Sequence, residues 1–239
     1  MLANSQGAWV IQLTAAEHPD EVAFIVTLSG SGVSAAEQQV YGIEMQSRAG
    51  GLSEAEVRTA VLFGRLLVDW QLTRPLFIEE NQKEAARLGS GIWETFAQLV
   101  YGPVGGSRET GFSHALEILR QAKSEPWAPY LHLDLVIAQL ERIPLDQIAL
   151  VGREAEKSLL LDPGGFLAKV KCPVLAFFGA DDILQPTAKS VALYREYLAR
   201  AGNVDVTIVV FPHTGHSIEG YWPSYWRELS AWLARRFPR

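Results

Sequence analysis

Three short apolar runs and one long stretch of helical periodicity divide this chain. Glu21 to Leu28 (EVAFIVTL), Pro173 to Phe178 (PVLAFF) and Val204 to Phe211 (VDVTIVVF) are nearly continuous in apolar residues. Runs of this length without polar alternation read as strands buried on both faces, the pattern of a parallel sheet. Helical spacing surrounds them. Trp9, Val10, Leu13 and Ala16 recur along Gln6 to His18, and His18-Pro19-Asp20 ends that segment. Pro186 opens a helix with Val191, Tyr194 and Leu198 on its apolar face, closed by Gly202-Asn203. The last helix starts near Pro223 and carries Trp226, Leu229, Trp232 and Leu233 on one side. The order strand, helical insertion, strand, helix, strand, helix predicts an α/β fold on a parallel sheet.

The insertion runs from about Ser34 to Asp162. Ser34-x-x-Glu37 and Ser53-x-x-Glu56 both have capping-box spacing, and Gly50-Gly51 separates the segments they open. Val57, Val61, Gly64, Val68 and Leu72 fall on one face of the second segment, and Pro75 opens another helical stretch. Between Gly89 and Tyr130 the periodicity weakens, with Gly102-Pro103, Gly105-Gly106 and Pro126/Pro129 as breakers. Trp93, Phe96, Tyr101, Trp127 and Tyr130 concentrate there. Such aromatics either build a subdomain's own core or line an apolar substrate pocket. The expected division is therefore residues 1–33 and 163–239 as the sheet-bearing core, with 34–162 as a helical lid.

Composition narrows the function classes. Of 239 residues, 48% are hydrophobic and 20% charged, which fits ordinary globular usage and a packed core. A net charge of −6 argues against nucleic acid and anionic membrane surfaces as partners. No apolar run reaches the roughly 20 residues that a spanning helix needs. The N-terminus has no basic segment ahead of its apolar stretch, so it does not read as a signal peptide. A cytoplasmic location is the default expectation, and nothing in the chain names a compartment. With Cys172 as its one cysteine, the chain has no internal disulfide or cysteine-rich metal site. Gly30 and Gly32 lack the Lys-Ser/Thr that a phosphate loop requires, so no cofactor is expected.

The candidate chemistry stands at the ends of these elements. Ser5 lies between small residues, Ala3 and Gly7, directly ahead of the first helix. This is the layout of a nucleophile elbow, with Ala3 in the first glycine position. The same position also suits an N-cap. Asp182 follows the second run after Gly179, and His216 follows the third after Gly215. In open α/β sheets ligands gather beyond the carboxyl ends of strands, where all three residues would sit. A metal reading of His213-x-x-His216 with Asp181 or Asp182 lacks a third histidine or cysteine to complete it.

On A-N-S-Q-G, KCPVLAFFGADD with its helix-opening Pro186, and FPHTGHS, the sequence resembles the C-terminal half to two-thirds of an α/β-hydrolase-fold serine hydrolase of the esterase/dienelactone-hydrolase-like kind. The resemblance implies a Ser5–His216–Asp182 triad, with Asp182 favoured over Asp181 and His216 over His213. It implies His216 as general base, Asp182 as the group orienting it, and the Gln6 backbone N–H as an oxyanion donor. The expected activity is cleavage of carboxylic esters, with thioesters and amides in the same class, through an acyl-enzyme.

One departure stands out. The strand entering the elbow is only Met1-Leu2-Ala3, and the family's earlier strands and second oxyanion loop have no counterpart. The expectation is a truncated member of the family. The alternative function is a catalytically silent remnant or interaction protein, which meets itself or an N-terminal partner through an exposed sheet edge.

Overall fold

The computed structural model describes residues 1–102 and 108–237, the side chains of residues 108–110 excepted. Pro103, Gly105 and Gly106, expected as helix breakers, lie outside the described residues. The chain divides into two compact units, residues 1–41 with 161–239 and residues 42–160.

The first unit is built on four parallel strands in the order β1-β2-β3-β4: Leu2–Asn4, Ile25–Leu28, Val174–Gly179 and Val206–Phe211. Its helices are α1 (Gln6–Glu17), α2 (Ala35–Ala49, which runs on into the second unit), α9 (Gly164–Leu167), α10 (Thr187–Arg200) and α11 (Trp222–Arg236). The second unit contains α3 (Glu54–Trp70), α4 (Ile78–Ala85), α5 (Ile92–Tyr101), α6 (Arg108–Ala122), α7 (Leu133–Leu140) and α8 (Ile148–Leu159). The class expected from the sequence, a parallel α/β sheet with a mainly helical insertion, is the class observed.

Strand β3 shows why the apolar runs are continuous. Every residue from Val174 to Gly179 is buried. Side chains alternate between the faces. Val174, Ala176 and Phe178 pack with Trp9, Ile11, Ala15, Tyr194 and Leu198 of α1 and α10, whereas Leu175 and Phe177 pack with Tyr225, Leu229 and Trp232 of α11. Both faces are thus covered by helices. Each such side chain taken from water contributes roughly 1.5–3 kcal/mol.

Strand β2 and helix α1 differ from expectation. Strand β2 starts at Ile25 rather than Glu21, because pairing begins only where neighbours exist: Ile25 N donates to Pro173 O at 3.0 Å, and Val26 N donates to Met1 O at 2.8 Å. Helix α1 buries Ala8, Trp9, Ile11, Gln12 and Ala15, leaving Val10 62% exposed. Small residues set this choice. A Cβ at Gly30 would lie 2.5 Å from Ala8 Cβ, so helix and sheet approach too closely for a larger face.

In the second unit Ser53 caps α3. Its hydroxyl accepts the Glu56 N–H while the Glu56 carboxylate accepts the Ser53 N–H at 2.8 Å, as the sequence predicts. Asp69, near the other end of α3, is buried. It accepts Leu76 N at 2.7 Å and Phe77 N at 3.2 Å ahead of α4, together with the Tyr101 hydroxyl. Trp93, Phe96 and Trp127 are buried in this unit's core, where Phe63 stacks on Phe96 at 4.9 Å and meets Trp127 at 4.7 Å. Tyr101 is tied to Asp69 and Asn81, and Tyr130 places its hydroxyl against Gly50. Among the described residues no helix is long and apolar enough to cross a membrane.

Candidate active site

Ser5 stands between β1 and α1 with φ 49° and ψ −128°. A non-glycine residue at positive φ carries strain of order 1–3 kcal/mol, which the surrounding structure must offset. Here the turn is tied at both ends: Ser5 N donates to Leu28 O at 2.9 Å, and Ser5 O accepts Ala8 N at 3.0 Å. The Ser5 side chain makes no capping hydrogen bond to α1. A Cβ at Gly7 would lie 3.2 Å from Ala3 Cβ, which explains why both flanking positions are small. Gln6 opens α1, and its N–H is among the four that a helix leaves without an intrahelical partner.

Asp182 follows β3 and is 2% exposed. A buried carboxylate needs its lone pairs satisfied. Oδ1 accepts Leu184 N at 2.8 Å and Gln185 N at 3.3 Å, while Oδ2 accepts Gln185 Nε2 at 3.1 Å. Oδ2 also lies 2.7 Å from His216 Nδ1. That contact fixes the ring so that Nε2 carries the free lone pair of the neutral imidazole. The His216 side chain is 19% exposed.

Two hydrogen bonds hold the histidine loop against the sheet. Asp181 N donates to Thr214 O at 3.0 Å, and the Ser29 hydroxyl donates to His216 O at 2.7 Å. The loop turns through positive φ at His213 (53°) and Ile218 (48°). Asp182 and His216 are thus in direct contact. Ser5 sits on the carboxyl end of β1, with β2 between it and β3, hydrogen-bonded to the residue preceding Ser29. Among the described residues no hydrogen bond joins the Ser5 hydroxyl to His216. His213 and Asp181 lie 3.9 Å apart and are exposed, and among the described residues no three His, Cys, Asp or Glu side chains gather as a metal site.

Sequence reasoning missed three supporting residues. Gln185 is fully buried; besides binding Asp182 it donates to Thr187 Oγ1 at 2.7 Å and accepts from Ser190 Oγ at 2.7 Å. Ser190 Oγ in turn accepts Gly32 N at 3.0 Å. Ser29 is the third. The legible signal for Gln185 was a polar residue between the Asp182 turn and Pro186, three positions after an aspartate, the spacing at which an Asx side chain takes backbone N–H groups.

Comparison with known proteins matches part of the chain. Residues 155–235, which include Asp182 and His216, match the family model described as BAAT / Acyl-CoA thioester hydrolase C terminal. No curated protein matches the chain in sequence. Among solved structures, the chain is similar to proline iminopeptidase of Mycobacterium smegmatis at 16% identity and a TM-score of 0.43, covering 98% of this chain and 64% of that one. It is similar to a serine hydrolase from a polyaromatic-hydrocarbon-degrading Cycloclasticus at 15% identity and a TM-score of 0.41, covering 100% of this chain and 64% of that one. An esterase shares 14% identity at a TM-score of 0.41, over 97% of this chain and 60% of its own. The chain therefore spans less than two-thirds of the length of these three proteins. With a parallel sheet, a serine at the first strand-to-helix turn and an Asp–His pair beyond the last two strands, it has a fold of the α/β-hydrolase class, and residues 155–235 are similar to the C-terminal region of acyl-CoA thioester hydrolases.

Proposed function

We propose that the chain hydrolyses carboxylic esters or thioesters through an acyl-enzyme on Ser5. The observation that carries this reading is the 2.7 Å contact of His216 Nδ1 with the buried Asp182 carboxylate, at the sheet end where Ser5 occupies its strained turn. Similarity of residues 155–235 to acyl-CoA thioester hydrolases supports the substrate class.

In this mechanism Ser5 Oγ attacks the acyl carbonyl while its proton passes to His216 Nε2. Asp182 holds the tautomer and stabilises the imidazolium that forms. The tetrahedral oxyanion is met by the Gln6 N–H at the start of α1, where the helix dipole favours negative charge. Collapse expels the alcohol or thiol, which takes the proton from His216. Water, deprotonated by the same imidazole, then attacks the ester carbonyl and releases the acid and Ser5. The Ser5–His216 hydrogen bond belongs to the substrate complex, since such bonds are often long before substrate binds. Apolar acyl or aryl groups are the favoured substrates.

Intact-mass detection of a fluorophosphonate adduct tests this reading, with Ser5→Ala alongside and circular dichroism to establish folding. A single adduct that Ser5→Ala abolishes is the expected result. A folded chain that takes no adduct, or one whose adduct survives Ser5→Ala, rejects it. Rates on aryl esters and on acyl thioesters then separate the two substrate classes.

A second reading is an interaction role through β1. Strand β1 pairs with β2 alone among the described residues, and Leu2 is 55% exposed. An unpaired strand edge is a template for another chain. Sedimentation across a hundredfold concentration range checks it: a monomer throughout removes self-association.

A further inference from the structure

We infer that Ser29 is a positioning residue for His216, and that the dipeptide Leu28-Ser29 sets the nucleophile and the base relative to one another; this rests on the Ser5–His216–Asp182 reading above. Leu28 O accepts the Ser5 N–H at 2.9 Å, and the very next side chain, Ser29 Oγ, donates to His216 O at 2.7 Å. One peptide unit at the end of β2 thus holds the elbow on one side and the histidine loop on the other.

Ser29 is unusually constrained for a residue with no apolar role. It is buried at 2% exposure, its N–H donates to Phe177 O at 2.7 Å, and its φ is 50°. A serine at positive φ costs more than glycine would there, yet the position keeps a side chain. The hydroxyl is what glycine lacks. Among the described residues its only partner is the His216 carbonyl, 187 positions along the chain. Other restraints on that loop act on neighbouring residues: Asp181 N on Thr214 O, Thr214 Oγ1 on Glu219 O at 3.1 Å, and Ile218 N on Gly215 O at 3.2 Å. Asp182 holds the imidazole at Nδ1, so Ser29 is the group that fixes the backbone from which the ring projects. Without it the ring pivots about its contact with Asp182, and Nε2 loses its aim at Ser5. Misplacement of a reacting group by about 1 Å lowers rates by about 100-fold.

The test compares wild type with Ser29→Ala and Ser29→Gly. Ser29→Gly also relaxes the positive φ, so it stays folded where Ser29→Ala does not. Two readouts are taken. The first is the downfield proton resonance of His216 Nδ1–H, identified by its loss in His216→Gln, which does not depend on Ser5 chemistry. The second is the rate of fluorophosphonate labelling. The expected result is a resonance in wild type that broadens or vanishes in both Ser29 variants, with labelling slowed about 10- to 100-fold and the circular dichroism spectrum retained. A wild-type resonance left unchanged in a folded Ser29→Gly overturns the inference, as does absence of the resonance from wild type. If wild type takes no label but its resonance is lost in the Ser29 variants, the triad reading fails while the positioning of His216 by Ser29 stands.

Discussion

The backbone of Gly179 lies directly against the carbonyl of Gly215. A Cβ at position 179 would collide with that oxygen and would come within 2.5 Å of Thr214 O. Gly179 therefore lets the end of β3, which leads to Asp182, close onto the loop that carries His216. Its φ is not at issue, since it is not among the positive-φ glycines; space alone demands the missing side chain. Gly179→Ala is expected to push the histidine loop outward. Overpacking of this kind costs typically about 1–3 kcal/mol. Thermal unfolding and fluorophosphonate labelling measured together check it. A folded variant labelled at the wild-type rate would show that the close approach is dispensable.

Asp182→Asn separates geometry from charge. Oδ1 would still accept the Leu184 and Gln185 N–H groups, so the turn after β3 should persist. The amide donates where the carboxylate accepts, so the His216 tautomer reverses and Nε2 becomes a donor. In a serine–histidine–aspartate site this lowers turnover by about 10⁴-fold with little structural change. Steady-state hydrolysis of an aryl ester is the measurement. A loss of less than about tenfold would remove Asp182 from the mechanism.

What the sequence made legible and what it hid divide along physical lines. The continuous apolar run foretold β3 because its residues are buried on both faces of a parallel sheet. Most of β4 was foretold as well, although as the last strand in the sheet order it buries only Phe211 and leaves Val210 42% exposed. Asp182 and His216, which the fold brings into contact, could be singled out because each follows a strand and a glycine. Helix faces were read less well. Periodicity weights large side chains, so Val10 and Trp226 looked buried, yet Trp226 is 56% exposed and α11 packs through Tyr225, Leu229 and Trp232. In α1 the contact is made by Ala8 and Ala15 against a crowded sheet, which a hydrophobicity pattern underrates. Val204 was included in the last strand, but it is 97% exposed and pairing starts at Val206. Ser29 and Gln185 were missed for a different reason. Ser29 acts through a partner 187 positions away, and Gln185 through a buried network with Thr187 and Ser190 that only the fold assembles.

The aromatic residues of the helical unit make a separate prediction. Phe63 is fully buried and touches both Phe96 and Trp127. Phe63→Ala removes a ring from the middle of that cluster, and Phe→Ala in a core costs about 3–5 kcal/mol. Loss should appear first in the helical unit, residues 42–160. Amide hydrogen exchange followed by mass spectrometry localises it. Faster exchange confined to α3 and α5 at unchanged exchange in β3 is the expected pattern; uniform exchange as in wild type would mean that these aromatics are not holding the unit together.

Alkaline titration of the tyrosines gives a last test of the same packing. Burial pushes the Tyr194 hydroxyl well above the ordinary tyrosine range, and burial together with the Asp69 carboxylate does the same for Tyr101. Both groups hold their protons more tightly folded than unfolded. The stability they contribute is fully present below the unfolded tyrosine value of about 10 and falls as pH rises beyond it, because the unfolded chain gives up those protons first. Of the seven tyrosines, Tyr194 and Tyr101 should therefore resist ionisation until their units open. Ultraviolet difference absorbance against pH, read beside circular dichroism, makes the comparison. Tyr101→Phe should remove one late-titrating group and leave Asp69 with its Leu76 and Phe77 N–H partners, at a stability cost of about 1–3 kcal/mol for the lost charge-assisted hydrogen bond. Complete titration of all seven tyrosines with the fold intact would contradict the buried, Asp69-bound placement of Tyr101.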